Sequence, residues 1–173
     1  MTSAAHLFVE RIKTPIGAAL ITHDGKHICN LEFEGRDERR LEELAHHFPG
    51  AIVQRAPKRS KFADALALYF NGDVRIIDKL PVAKMGTAFQ QRAWAALRRI
   101  PAGKTRGYGE QAASLGKPNA ARAVGRANGL NPVSIVVPCP RLIGADGSLV
   151  HFGGGLERKR WLIDHETRFT QRF

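Results

Sequence analysis

Charge is spread so unevenly along this 173-residue chain that it divides the chain in two. Residues 1 to 83 carry 12 Lys+Arg against 11 Asp+Glu, a net of +1, whereas residues 84 to 173 carry 15 against 5, a net of +10. A solubilising surface is the plain reading of such an excess, but solubility alone gives no reason to segregate it. A one-sided positive field points to a polyanion, with nucleic acid as the first candidate. The balance changes at Pro81-Val82-Ala83-Lys84, which predicts an N-terminal domain over 1–83 and a C-terminal domain over 84–173. With 43% hydrophobic residues the chain holds enough apolar surface for one ordinary core or two small ones.

The first part reads as mixed α/β. Extended stretches at 7–13, 18–22 and 28–33, with a tight turn at Asp24-Gly25, predict a small antiparallel meander, and 51–55 reads as a further strand. Leu41, Leu44 and Phe48 at helical spacing predict a helix over 36–48, and Phe62, Ala65, Leu66, Tyr69 and Phe70 predict another over 61–70. The second part is mainly helical. Thr87 caps a predicted helix running to about Arg99, with Phe89, Trp94 and Leu97 as core candidates. Helices from Tyr108 to Leu115 and from Asn119 to Gly129, joined at Gly116-Lys117-Pro118, form a helix-turn-helix pattern with a wing. Ala120, Ala121, Ala123, Gly125 and Ala127 are too small to reach base edges from a major groove. Such a thin helix either enters a minor groove and places one long side chain, Arg122, in the duplex, or simply packs closely against its neighbour.

Chemistry concentrates further on. Val133 to Val137 is a β-branched run that predicts a buried extended segment leading into Pro138-Cys139-Pro140-Arg141. The two prolines restrict Cys139 to an extended conformation, so its sulfur is positioned rather than mobile. A lone cysteine is commonly a small buried hydrophobe; here the neighbouring Arg141 and the glycine-rich stretch at 153–155 favour a nucleophile. The triple glycine permits close approach of a flat ligand or acts as a hinge, and 156–166 follows as an amphipathic last helix. Only two cysteines occur, Cys29 and Cys139, which excludes a disulfide framework. His6, His23, His27 and Cys29 match no closed zinc pattern, and no metal is expected. No apolar run approaches the roughly 20 residues of a membrane span, and the start Met1-Thr2-Ser3-Ala4-Ala5-His6 lacks the layout of a secretory signal. A soluble, cytoplasmic monomer without membrane contact is therefore expected.

The run from Ile100 to Glu166 resembles the O6-alkylguanine-DNA alkyltransferases. The resemblance rests on Ile-Pro-x-Gly with Tyr108 downstream, Ala121-Arg122-Ala123-Val124-Gly125, Asn131-Pro132, Pro138-Cys139-x-Arg141, and Gly154-Gly155-Leu156 leading to Lys159, Trp161 and His165-Glu166. It implies suicide repair of double-stranded DNA, with Cys139 taking the alkyl group from O6-alkylguanine by in-line displacement and no cofactor. It also implies minor-groove entry, with Arg122 filling the space of a flipped nucleotide and Ala121, Arg126 and Arg141 among the DNA contacts. Tyr108 then helps rotate the base and donates a proton to guanine. Asn131 and Glu166 join Cys139 and Tyr108 in the catalytic set, while Pro132, Pro140, Ser148, Phe152, Gly153 and Gly154 line the base and alkyl pocket.

Two positions depart from the family pattern. Pro140 stands where the family has the histidine that takes the thiol proton through a water, assisted by a glutamate at Glu166. Losing such a base typically costs about two to four orders of magnitude. A water chain from Cys139 to Glu166, or the positive field around Arg141, is the expected substitute. Phe152 replaces a frequent tyrosine and keeps an apolar wall without the hydroxyl. The competing reading is a lesion-binding protein that senses without repairing; a transcription regulator is disfavoured by the small side chains of the second helix.

Overall fold

The computed structural model describes residues 3–171; Met1 and Thr2, part of the start read above for a secretory signal, and Arg172 and Phe173 lie outside the described residues. The chain forms two compact units. One contains the residues up to Met85 together with Pro132–Ser134, and the other Gly86–Asn131 together with the residues from Ile135 onward. The charge boundary at 83/84 thus lies two residues before the division, and the excursion of Pro132–Ser134 into the first unit was not expected.

In the first unit, β1 (His6–Ile12), β2 (Ala19–His23) and β3 (Ile28–Phe33) form the predicted meander. β4 (Ile52–Arg55) adds to the other side of β1 in parallel, so the sheet is mixed, in the order β3-β2-β1-β4, rather than purely antiparallel. The reason is topological: α1 (Asp37–His47) carries the chain back across the sheet between β3 and β4, a crossover that delivers a parallel strand. Pro132–Ser134 joins the opposite edge, where Leu31 N donates to Pro132 O at 3.0 Å and Ser134 N to Leu31 O at 3.1 Å. Sequence spacing put Leu41 in the core, yet it is 54% exposed. Across from β3, Asn30 Nδ2 donates to Glu43 Oε2 at 2.9 Å and Arg39 Nε to Glu43 Oε1 at 2.9 Å. α1 therefore turns Leu44 and these polar groups inward and leaves Leu41 in solvent. α2 (Lys61–Phe70) begins at Ser60, whose hydroxyl accepts from Ala63 N, a cap that stabilises by about 1 kcal/mol. His23 lies between the Phe8 and Phe62 rings with its Nε2 3.2 Å from Glu10 Oε2, a structural contact. Among the described residues no three His, Cys, Asp or Glu side chains are grouped to hold a metal.

Cys29 packs with Leu7 and Leu44, and burial first, then the charge of Asp24, pushes its thiol up to about 12. An unfolded thiol titrates near ~8.5, so the folded state keeps this proton longer than the unfolded chain. The resulting stability is fully present below the unfolded value and falls away as pH rises towards 12. Denaturant titrations of the native chain and Cys29→Ala are expected to show stabilities that converge as pH climbs through this window. Curves that stay parallel contradict the assignment.

In the second unit, α3 (Ala88–Arg98) starts with a complete capping box between Thr87 and Gln90. α4 (Tyr108–Ser114), α5 (Ala121–Gly129) and α6 (Leu156–Thr170) follow, with α6 four residues longer than its predicted end. β5 (Arg106–Gly107) and β6 (Leu142–Ile143) pair in parallel as a short wing. Among the described residues no helix is long and apolar enough to cross a membrane.

Candidate active site

The α4–α5 pair forms the helix-turn-helix, and the small residues of α5 allow the close packing that was one of the two readings of the sequence. Gly125 lies against the Tyr108 ring, where an added Cβ would stand 3.8 Å from Cδ1, and Trp94 Nε1 of α3 donates to Ala127 O at 2.9 Å. Val124, Ala127 and Asn128 are buried on this packed face. Arg122, Ala123 and Arg126 are exposed on the other, and Ala121 is half-buried. The exposed face thus combines small side chains with two free-reaching guanidinium groups, the shape and charge that suit a narrow groove lined by phosphates.

Cys139 does not sit in an extended segment. Val133 makes only an isolated bridge to Leu31, and residues 134–136 turn rather than continue as a strand, with Ile135 at φ 74°, a conformation rare for a β-branched residue. Cys139–Arg141 then forms a single 3-10 turn, closed by Arg141 N donating to Pro138 O at 3.1 Å. Proline tolerates the second position of such a turn because its missing N–H has no intrahelical partner there. The turn is held from both ends. Asn131 Nδ2 donates to Val137 O at 2.8 Å, bracing the approach. Arg141 is only 1% exposed, its Nε and Nη2 donating to Glu166 Oε2 and Oε1 at 2.8 and 2.9 Å, and its Nη1 to Ile100 O at 2.6 Å. This corrects the expectation that Arg141 contacts DNA: a guanidinium sealed against a carboxylate and a backbone carbonyl has no face left for a phosphate. It also changes the reading of Glu166, whose carboxylate is committed to Arg141 and to Gly103 N at 3.5 Å. Gly103 holds φ 79°, and a side chain there would collide with Thr170 of α6.

Two polar side chains feel the charge of Cys139. The β5–β6 pairing sets Tyr108, the first residue of α4, beside the segment that leaves the Cys139 turn. Tyr108 Oη donates to Val150 O at 3.3 Å, and its hydroxyl is held above the ordinary tyrosine range by burial and then by the charge of Cys139, against an opposing hydrogen bond with Asn128. Such a phenol keeps its proton at neutral pH, as a donor must. Lys159 on α6 is fully buried, and its Nζ donates to Leu142 O at 2.5 Å, Val150 O at 2.8 Å and His151 O at 3.5 Å. Burial lowers Lys159 from 10.5 to about 8, while the charge of Cys139 pulls it back up. The sequence signal for Lys159 was its position three residues before buried Leu162 on the inward face of α6, a place where a lysine is costly unless it is used.

The expected pocket residues are spread. Pro140 is buried in the Cys139 turn and Phe152 is half-buried, whereas Ser148 and Gly153 are exposed and Gly154 is half-buried; Pro132 belongs to the first unit. Ser148 N donates to Asp146 Oδ1 at 3.0 Å in a tight loop. Of the three glycines, Gly155, at φ 94°, is the N-cap of α6. An open groove of about 500 Å³ follows the wing, lined by Arg106, Gly107, Glu110, Ile143 and Gly144.

The helix-turn-helix, the clamped cysteine turn and the last helix coincide with a known domain. The model described as "6-O-methylguanine DNA methyltransferase, DNA binding domain" matches residues 88–168, and the one described as "6-O-methylguanine DNA methyltransferase, ribonuclease-like domain" matches residues 7–83. The chain belongs to the 6-O-methylguanine DNA methyltransferase family. Methyltransferase relatives include the methylated-DNA–protein-cysteine methyltransferase of Salmonella typhimurium, 44% identical over 163 residues that cover 92% of this chain and 95% of that protein. The protein of the same name from Haemophilus influenzae is 41% identical over 92% of this chain and 86% of its own length. Among solved methyltransferase structures, that of Mycobacterium tuberculosis OGT in complex with DNA is 38% identical, with a TM-score of 0.77 over 95% of this chain and 94% of that one.

Proposed function

We propose that this methyltransferase-family chain repairs DNA by taking an alkyl group from O6-alkylguanine onto Cys139, once per molecule. The observation that carries the reading is a cysteine held on a turn clamped by Arg141 and Glu166 within the DNA-binding domain of the family. The duplex is approached through its minor groove by the exposed face of α5. The damaged nucleotide rotates out of the stack, because an O6-alkyl carbon inside stacked duplex gives a nucleophile no in-line approach. Sulfur bonds to the alkyl carbon, the carbon–oxygen bond breaks, and guanine gains a proton. No cofactor enters this balance. The protein acts as a monomer in the cytoplasm. The test is incubation of protein with a molar excess of O6-methylguanine duplex: transfer is expected to plateau at one methyl per protein molecule. Tight lesion binding with no transfer identifies a sensor instead, and continued turnover contradicts the single-use chemistry.

Arg122 is exposed at the start of α5 and supplies the side chain that fills the vacated space. Arg122→Ala is expected to weaken duplex binding about tenfold and single-strand binding far less, since only the duplex has a stack to fill. Equal losses on both in a fluorescence titration contradict the intercalating role.

A further inference from the structure

We infer that the groove beside the wing is a phosphate subsite, in which Arg106 holds a backbone phosphodiester of the duplex that the helix-turn-helix approaches. The inference rests on the DNA-binding half of the reading above and adds a contact made by neither α5 nor Cys139. Arg106 lies on β5 and Gln111 on α4, both within the second unit. Arg106 Nη1 donates to Gln111 Oε1 at 3.1 Å. Gln111 is 0% exposed and is itself tied to α3, its Nε2 donating to Ala93 O at 3.3 Å. The guanidinium is thus anchored to a fixed acceptor that carries no charge. Among the described residues no carboxylate pairs with Arg106. Its positive charge stays uncompensated, and the rest of its planar fork is open to an acceptor with paired oxygens, as a phosphate is.

The groove around Arg106 leaves room for a polymer backbone. It holds about 500 Å³, is open to solvent, and is lined by Thr105, Arg106, Gly107, Gly109 and Glu110 among others. Glu110 is engaged elsewhere: its Oε2 accepts from Gly107 N at 3.1 Å as part of the cap of α4, and it makes no ion pair with Arg106. Thr105 is exposed, and its hydroxyl has no partner among the described residues, so it offers a second donor to the same groove. Gly109 lies in the first turn of α4, although glycine is a poor helix former. A Cβ added there would meet nothing within 4 Å. No packing inside the protein asks for the missing side chain. Its absence instead allows the close approach of another backbone to the groove that Gly109 lines.

The occupant follows from where the groove lies. Arg106 stands two residues before Tyr108, at the entry to the first helix of the helix-turn-helix, and Gly109 and Glu110 belong to that helix. α5, its second helix, exposes Arg122 and Arg126. A duplex drawn to α5 carries a strand of phosphates past the neighbouring elements, and a guanidinium and a hydroxyl are the donors that such strands commonly meet. A contact of this kind fixes the position of the duplex and reads no base. Arg106 therefore adds affinity for damaged and undamaged duplex alike, and it does so through charge, which salt screens.

The test is the salt dependence of binding, read by fluorescence anisotropy on undamaged duplex and on duplex containing O6-methylguanine. Losing one phosphate contact lowers the slope of log affinity against log salt by about 0.9. Arg106→Met is expected to show that change on both duplexes and to bind each about fivefold more weakly at about 0.1 M salt. Arg106→Lys keeps the charge and is expected to keep the slope. Gly109→Leu fills the groove without removing a charge, and is expected to fold normally and to bind both duplexes several-fold more weakly. An unmoved slope in a folded Arg106→Met, with one methyl group transferred per native chain, overturns the inference and leaves repair standing. A loss confined to the lesion duplex overturns it too, since that places Arg106 at the damaged base. If Arg106→Met does not fold, native affinity in Gly109→Leu overturns it alone. Slopes that differ as expected, in a native chain that transfers no methyl group, defeat the repair reading and leave the subsite in place.

Discussion

Replacing Cys139 by serine is expected to abolish alkyl transfer, with a loss of at least about four orders of magnitude, while binding to lesion duplex stays within about twofold of native. A hydroxyl ionises far less readily than a thiol, and neutral oxygen is a poor nucleophile towards an alkyl carbon. The second cysteine cannot take over: Cys29 is 1% exposed inside the other unit, with its thiol pushed up to about 12. The proposed binding face does not include the sulfur: it is formed by Arg122 and Arg126, which are exposed on α5. Transfer rates from labelled duplex and a binding isotherm on the same preparation check both halves. Residual transfer above background, or a collapse of binding, contradicts the separation of chemistry from recognition.

Glu166→Gln is expected to destabilise the protein by about 3–5 kcal/mol, the usual consequence of leaving one partner of a buried ion pair uncompensated. Arg141 is buried with both of its carboxylate contacts on Glu166, and water cannot compensate the guanidinium where it lies. The double variant Arg141→Met/Glu166→Met is expected to recover much of the loss, because it removes both charges and keeps the volume filled. Denaturant midpoints of the three proteins settle the matter. A Glu166→Gln loss below about 1 kcal/mol, accompanied by slowed transfer, would mean that the carboxylate serves as a proton acceptor and not as the clamp of the Cys139 turn.

Local patterns carried much of this far. The Phe62–Phe70 periodicity predicts α2 to the residue, alternation predicts β3, and the turn at 116–118 separates α4 from α5 at nearly the right places. Cys139, Tyr108 and Arg122 stand out in the sequence, and the structure sets Cys139 and Tyr108 within electrostatic reach of each other, with Arg122 exposed on α5. What the sequence concealed are features decided by distant partners. β4 pairs in parallel with a strand more than 40 residues away. Pro132–Ser134 extends the sheet of the first unit, and this demand leaves Ile135 with a positive φ where β-branching alone argues for a strand. Arg141 was expected at the DNA, and nothing local marks the burial of Arg141 and Lys159, because charged side chains are rarely buried. One is buried by a carboxylate 25 residues on, the other by carbonyls 8 to 17 residues back. The basic excess of the second half was thus read correctly as a field and too literally as a surface, since two of its members face inward.

Where the alkyl group ends separates repair from mere recognition of the lesion. After incubation with duplex containing O6-methylguanine, mass analysis of the proteolysed protein is predicted to find a single added methyl group on the peptide bearing Cys139 and unmodified guanine in the DNA. An unchanged Cys139 peptide after prolonged incubation, with the lesion still in the duplex it binds, would contradict it.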